Sequence, residues 1–339
     1  MDPRGFPTSL PEFQQAFPHE GACAAYLERL RWPCGFVCPY CGVVAEPYRF
    51  PHRSSVVLRC RACGSNISLT AGTVMQGSHT PICTWFWAAY LVTSSTPGMS
   101  ALQFQRQMGI NRYETAFQML HKLRAGLVRP ERDTIGGEYQ VEMDEVLIGG
   151  RTRGEGHGVH HMITVVGAVE VRLRQEHEGR AARGQEHAHG VPLKLRTYAG
   201  RLRLQVVPDR SHLSLEAFTA ANITKGSTVR TDGYQGYARL TSGGYWHEPA
   251  VMEADPALLD SHLPVIHLVF SNLKTWILGT HHGVSPQHLQ AYLDEFVFRF
   301  NRRFYPMTAF NSALGLAAHS VPPTYREVYG QTCERPAIE

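Results

Sequence analysis

Two close pairs of cysteines stand out first: Cys38-Pro39-Tyr40-Cys41 and Cys60-Arg61-Ala62-Cys63, with eighteen residues between them and a glycine directly after each, Gly42 and Gly64. A C-x2-C turn folds two thiolates onto one side of a tight knuckle, and glycine relieves the backbone behind it. Two knuckles facing each other offer four sulfurs in a tetrahedron, the closed arrangement of a structural zinc site, with no open position for chemistry. The opening "MDPRGFPTSLPEF" has no apolar signal core, so this spacing favours metal over disulfides. Cys34 reads as a spare thiol, and Cys23 and Cys83 lie on apolar helical stretches as core residues.

The second chemistry-bearing set is acidic. Asp144 sits in "VEMDEVLIGG", an alternating strand with Val141 and Met143 on one side and Glu142 and Glu145 flanking the aspartate. A carboxylate in an apolar strand is costly unless it binds something. Asp232 ends the strand-like "STVRTD", just before Gly233. Each has a plain alternative, a capping acid for Asp144 and an Asp-Gly turn for Asp232. Together, with three strands before the second acid, they follow the plan of the ribonuclease-H-like nucleotidyl transferases, in which the first and fourth strands lie side by side. Two carboxylates so placed share divalent metals about 3.5–4 Å apart, as two-metal phosphoryl transfer requires. Oxygen donors on a hard cation indicate magnesium, with manganese as substitute.

These residues need elements to position them. Residues 1–35 carry apolar positions at helical spacing, with Thr8 or Ser9 as N-cap and Pro11 in the first turn. "YRFPHRSSVVLRC" forms a short hairpin between the knuckles. Residues 79–128 are helical, broken at Gly109. Ser100 and Asn111 are N-cap candidates on either side of the break, and Tyr113, Ala116, Phe117, Leu120 and Leu123 make one apolar face. Two helices across a glycine turn match a helix-turn-helix or a plain helical hairpin. Arg112, Lys122 and Arg124 lie off the apolar face and are candidate DNA contacts. Beyond "RPERDTIGG" come three strands, a helix in "SLEAFTAANI", a fourth strand, and the helices "LPVIHLVFSNLKTWILG" and "SPQHLQAYLDEFVFRFNRR". The His- and Arg-rich stretch from Arg174 to Pro192 reads as a mobile hairpin loop.

Bulk properties set the limits. The 339 residues hold two or three small domains, and 43% hydrophobic with 18% charged residues is ordinary for a folded soluble chain. No apolar run reaches the roughly 18–20 residues of a membrane span, and a cytoplasmic location is expected. The net charge of +4 permits nucleic-acid binding without demanding it.

Taken together, "CPYCG…RCRACG…SLTAGTVMQGSHTP…WFWAAYLV", "VEMDEVLIGG", "TDGYQGY" and "HLVFSNLKTWILGTHHGVSPQHLQAYLDEFVFRFNRR" resemble the bacterial insertion-sequence transposases of the IS1595 type, also called ISXO2-like, over about Cys23 to Arg303. The resemblance implies an α+β multidomain chain: an N-terminal helix and zinc ribbon (1–78), a helical helix-turn-helix-like DNA-binding region (79–132), a ribonuclease-H-like α/β catalytic domain (133–310) and a C-terminal tail (311–339). It implies strand cleavage and strand transfer on DNA, with terminal inverted repeats and target DNA as partners and a homodimer or larger assembly on the ends. In related transposases a third acid sits on a helix, with a Lys or Arg two turns later. Here Lys274 fits the basic residue, and His267, seven positions earlier, shares its helix face. Either His267 or Asn272 takes the third position, with Glu295 on the next helix ranked behind them. Arg299, Arg302 and Arg303 are candidate phosphate contacts, while His281 and His282 contact the scissile phosphate or are plain loop residues. The competing readings are a magnesium-dependent nuclease that never joins ends and a catalytically decayed DNA-binding regulator.

Overall fold

The structure, a computed structural model, describes residues 7, 9–52, 55–128, 132–149, 162–173, 197–250 and 262–319. The Arg174–Pro192 loop expected above lies outside them. The chain forms two compact units, Met1–Pro130 with Arg302–Glu339, and Glu131–Asn301.

The first unit is built on helices and a small sheet. Helix α1 (Leu10–Ala16) starts at Ser9, whose hydroxyl accepts from the Glu12 amide, and α2 (Glu20–Arg31) follows. Strands β1 (Tyr48–His52), β2 (Ser55–Arg59) and β3 (Asn66–Ser68) pair antiparallel in the order β1-β2-β3. The two knuckles repeat one geometry. Gly42 N–H donates to the Cys38 carbonyl and Gly64 N–H to the Cys60 carbonyl, and both glycines take positive φ, 71° and 73°. A side chain at either position would be strained, so each glycine is a requirement of its turn. The Sγ atoms of Cys38 and Cys63 are 3.7 Å apart, as are those of Cys41 and Cys60. Zinc–sulfur bonds of about 2.3 Å in a tetrahedron require sulfurs roughly 3.8 Å apart, so the four thiols fit zinc.

Helix α3 (Ile82–Ser94) is apolar on nearly every side and is the centre of this unit's core, as a helix of that composition must be. Its first free amides, those of Ile82 and Cys83, donate to the Glu20 carboxylate of α2. Helices α4 (Ala101–Met108) and α5 (Tyr113–Gly126) flank a turn in which Gly109 is left-handed, φ 62°. Ser100 caps α4 as expected, but the N-cap position of α5 is Arg112, not Asn111, and its side chain makes no cap bond. The chain returns to this unit as a C-terminal helix, Pro306–His319. Its Phe310, Leu314, Ala317 and Ala318 are buried against α3 and α5 in the first core. The sequence ends the catalytic domain at 310 with a tail beyond it; in the structure the helix across that boundary packs its apolar face on elements nearly 200 residues or more earlier.

The second unit is a mixed five-stranded sheet in the order β6-β5-β4-β7-β8. Strands β4 (Gln140–Ile148), β5 (Ile163–Leu173) and β6 (Thr197–Val206) run antiparallel, and β7 (Thr228–Thr231) and β8 (Trp246–Pro249) continue parallel to β4. The first and fourth strands of the unit are thus neighbours, the ribonuclease-H-like arrangement. Strand β8 was not foreseen; four residues that end in proline carry no alternation to read. Helix α6 (His212–Asn222) covers one face over Val141, Met143, Val166 and Ala168. Helices α7 (Pro264–Trp276) and α8 (Leu289–Asn301) cover the other over Val146, Val165, Val169 and Leu202.

The ribbon holds little apolar core of its own, so metal binding is also folding energy there. Each chain is expected to carry one zinc. Cys60→Ser should lose it and expose the 38–68 segment to protease, read by metal analysis and limited proteolysis. A full zinc complement in that variant would contradict the site.

Candidate active site

Asp144 and Asp232 come together through strand register. In the parallel pair, Val141 stands opposite Val229 and Glu142 opposite Arg230. Two residues further on, the same register brings Asp144 beside Asp232. Oxygens of Asp144, Glu145 and Asp232 all lie within 4.8 Å of one another. Asp144 Oδ1 accepts from the Glu145 amide at 2.8 Å, and Asp232 Oδ1 from the Tyr234 amide at 3.2 Å. Burial, and then the neighbouring Asp144 charge, push the Asp232 carboxyl above its ordinary range. Two desolvated carboxylates at this distance favour a cation between them, and an all-oxygen donor set fits a hard one such as magnesium or manganese.

Glu145 is the residue the sequence reading passed over as a mere flank. Being next to Asp144 on a strand, it leaves the backbone on the side of α6, yet its carboxylate stays within 4.8 Å of both aspartates. There its two oxygens accept from Arg210 and from the Tyr237 hydroxyl. Burial raises its carboxyl, while the Tyr237 hydroxyl and Arg210 oppose the shift. The clue in the sequence was the local density of acids in "VEMDE", where alternation assigns Glu142 and Asp144 to one face and Glu145 to the other.

Helix α7 delivers His267. Its first amides would be orphans, because no side chain of its own caps it. Glu142 of β4 fills that role: its Oε2 accepts from the Val265 and Ile266 amides, each at 2.8 Å, and the residue is 1% exposed. A carboxylate at a helix N-terminus also meets the positive end of the helix dipole. One turn along, Phe270 lies against Gly167 of β5, the residue paired with Asp144; a Cβ there would meet the ring at 2.6 Å. Cap and close approach together set the helix over the acids. His267 Nε2 lies 3.2 Å from Asp144 Oδ2.

The other candidates separate by position. Asn272 is exposed and, five residues beyond His267, lies about 140° around the helix from it. Lys274 is exposed on nearly the His267 azimuth, about 10 Å along the axis. Glu295 is buried on α8, 3.8 Å from Arg299 Nη1, and is outside the acidic cluster. His281 packs its ring against Trp276 and Tyr292, and His282 takes a left-handed φ of 56°.

Of the candidate DNA contacts, Arg112 is exposed at the start of α5. Lys122 is part-buried and donates to the Gln76 carbonyl at 3.2 Å. Arg124 is 1% exposed, so its assignment to a DNA-facing surface is corrected. Arg299 is largely buried near Glu295, and burial lowers its pKa. Arg302 and Arg303 are part-buried, with the Arg303 guanidinium 4.3 Å over the Phe304 ring.

The family profile described as ISXO2-like transposase domain matches residues 135–301, and that described as transposase zinc-ribbon domain matches residues 18–66. Comparison with curated proteins gave no match.

Two outcomes follow from this geometry. Glu142→Ala orphans two buried amides, at about 1–3 kcal/mol each, whereas Glu142→Gln keeps an acceptor and costs less; denaturant melts of the two variants measure the difference, and equal losses would contradict the cap. Asp232 holds its proton to higher pH in the folded protein than in the unfolded chain, so its contribution to stability is present at low pH and falls as pH rises through the folded pKa. Asp232→Asn should therefore flatten the stability profile above pH ~4 and raise the melting temperature at pH ~7 in chelator. A lower melting temperature there would contradict the repulsive pair.

Proposed function

The chain belongs to the ISXO2-like (IS1595) transposase family, and from that premise we propose that it cuts DNA at terminal inverted repeats and joins the freed 3′ ends to target DNA, with Asp144 and Asp232 as its metal-holding pair. Transposase and DNA binding follow from the two matched domains. The observation that carries the finer reading is the convergence of two carboxylates from adjoining parallel strands, with His267 against one of them.

The reaction begins with hydrolysis of a phosphodiester, which leaves a 3′-hydroxyl. That hydroxyl then attacks a target phosphodiester in line. Asp144 and Asp232 would hold magnesium or manganese, which when bound would activate the attacking oxygen and stabilise the leaving one. His267 takes the position of the missing third acid. It meets Asp144 Oδ2 through Nε2 and so fixes the rotamer in which the other carboxylate oxygen accepts from the Glu145 amide. A neutral imidazole leaves the site one negative charge poorer than an acidic triad, which weakens its hold on a hard cation. Asn272, exposed and turned away, is the less favoured occupant. Lys274 is placed to attract backbone phosphate along the same helix face.

End recognition falls to the ribbon and to α4–α5. The exposed start of α5, with Arg112, is the part a recognition helix offers to base edges. Two ends must be brought together for joining, which calls for a dimer or larger assembly on DNA.

Labelled end DNA, a target plasmid and magnesium test the reading. Wild-type protein should give joined product. Asp232→Asn should lose joining by about a thousandfold, equivalent to about 4 kcal/mol at the transition state, while still shifting the end DNA in a gel. Nicks without joints would instead indicate a nuclease, and a shifted but intact probe a DNA-binding regulator; either contradicts the proposal.

A further inference from the structure

The ladder between β4 and β7 is short. Its registered pairs are Val141 with Val229 and Glu142 with Arg230, and it stops before the acids it brings together. Beyond its end, two carboxylates of like charge face each other: β5 holds Asp144 and β8 holds Thr231 beside Asp232, but no ladder pair joins the two acid-bearing segments directly. A direct link between the two segments would tighten their separation.

Glu145 has the contacts to do so. Its amide donates to Asp144 Oδ1 at 2.8 Å. Its side chain, 4% exposed, is gripped on one oxygen by the Tyr237 hydroxyl and on the other by Arg210. Tyr237 is fully buried in the core under α6 and ends the short turn Gln235–Tyr237, three residues after Asp232. Arg210 lies with its guanidinium 4.4 Å over the ring of Tyr234, whose amide donates to Asp232 Oδ1. Both grips on Glu145 therefore lead back to the segment that carries Asp232. The result is a closed ring of contacts: Asp144, the Glu145 main chain, the Glu145 side chain, Tyr237 or Arg210 with Tyr234, and Asp232.

We propose that Tyr237 and Arg210 are positioning residues, which clamp Glu145 and through it fix the spacing of the two metal-holding carboxylates. The inference rests on the metal-pair reading given under Proposed function. With both oxygens engaged and its charge offset by Arg210, Glu145 acts here as a brace and not as a third ligand.

The test is manganese(II) binding to the full-length, zinc-loaded chain without DNA, followed by electron paramagnetic resonance. Tyr237→Phe removes one hydroxyl and should weaken binding about 10–100-fold, the usual cost of losing a partner that orients a metal ligand. Arg210→Lys keeps the charge and sits at the surface, but loses the forked contact and the stack; it too should weaken binding, by at least about threefold within that same range of effects. Tyr245→Phe is the control, since its hydroxyl lies in the same core but contacts the Thr219 and Ile223 carbonyls; binding should match wild type. Wild-type or tighter affinity in Tyr237→Phe and Arg210→Lys overturns the brace, tighter affinity being the sign of Glu145 released as a ligand. If Tyr237→Phe fails to fold, Arg210→Lys alone decides. Asp144→Asn separates the two ideas: undiminished binding in that variant, or none in the wild type, overturns the metal-pair reading itself.

Discussion

Two carboxylates held close together and partly out of water are the constraint around which the catalytic unit is arranged. Neighbouring parallel strands present Asp144 and Asp232 at one level, and a cation between them, as proposed above, would offset that repulsion. Burial first, and then the Asp144 charge beside it, raise the Asp232 carboxyl.

The acids around this pair divide the work by strand face. Alternation sends Glu142 and Asp144 toward α7, and Glu145 toward α6. Glu142 is spent on the start of α7, and so fixes the helix that aims His267 at Asp144. Glu145 ties the strand to the segment after Asp232. Glu170, buried on β5, pairs with Arg172 and Arg201 and accepts from the Gly136 amide, which anchors the approach to β4. The first unit uses the same device once more, where Glu20 of α2 caps α3. Carboxylates borrowed from another element thus start α3 and α7, whose own N-cap residues make no side-chain bond.

Much of this was legible in the chain. The paired C-x2-C turns and their glycines specify the knuckles through local geometry alone. Ser9 and Ser100 mark helix starts for the same local reason. The two aspartates were legible because polar residues inside apolar strands need partners, and the order of strands says which ones become neighbours. What stayed hidden depends on contacts between distant segments. The C-terminal helix has an apolar face whose partner lies nearly 200 residues or more earlier in the chain, and Arg124, which helical periodicity alone assigns to a polar side, is buried. How near His267 and Asn272 come to the acids likewise depends on which face of α7 meets the sheet. Phe270 against Gly167 fixes that face of the helix, and neither residue announces it in sequence.

The most direct measurement is a crystal structure of the protein soaked in manganese, with anomalous scattering recorded at the manganese edge. The account predicts a manganese peak bound jointly by Asp144 and Asp232, distinct from a zinc peak among Cys38, Cys41, Cys60 and Cys63. Saturating manganese with no peak between the two aspartates, or a peak held by other side chains, would contradict it.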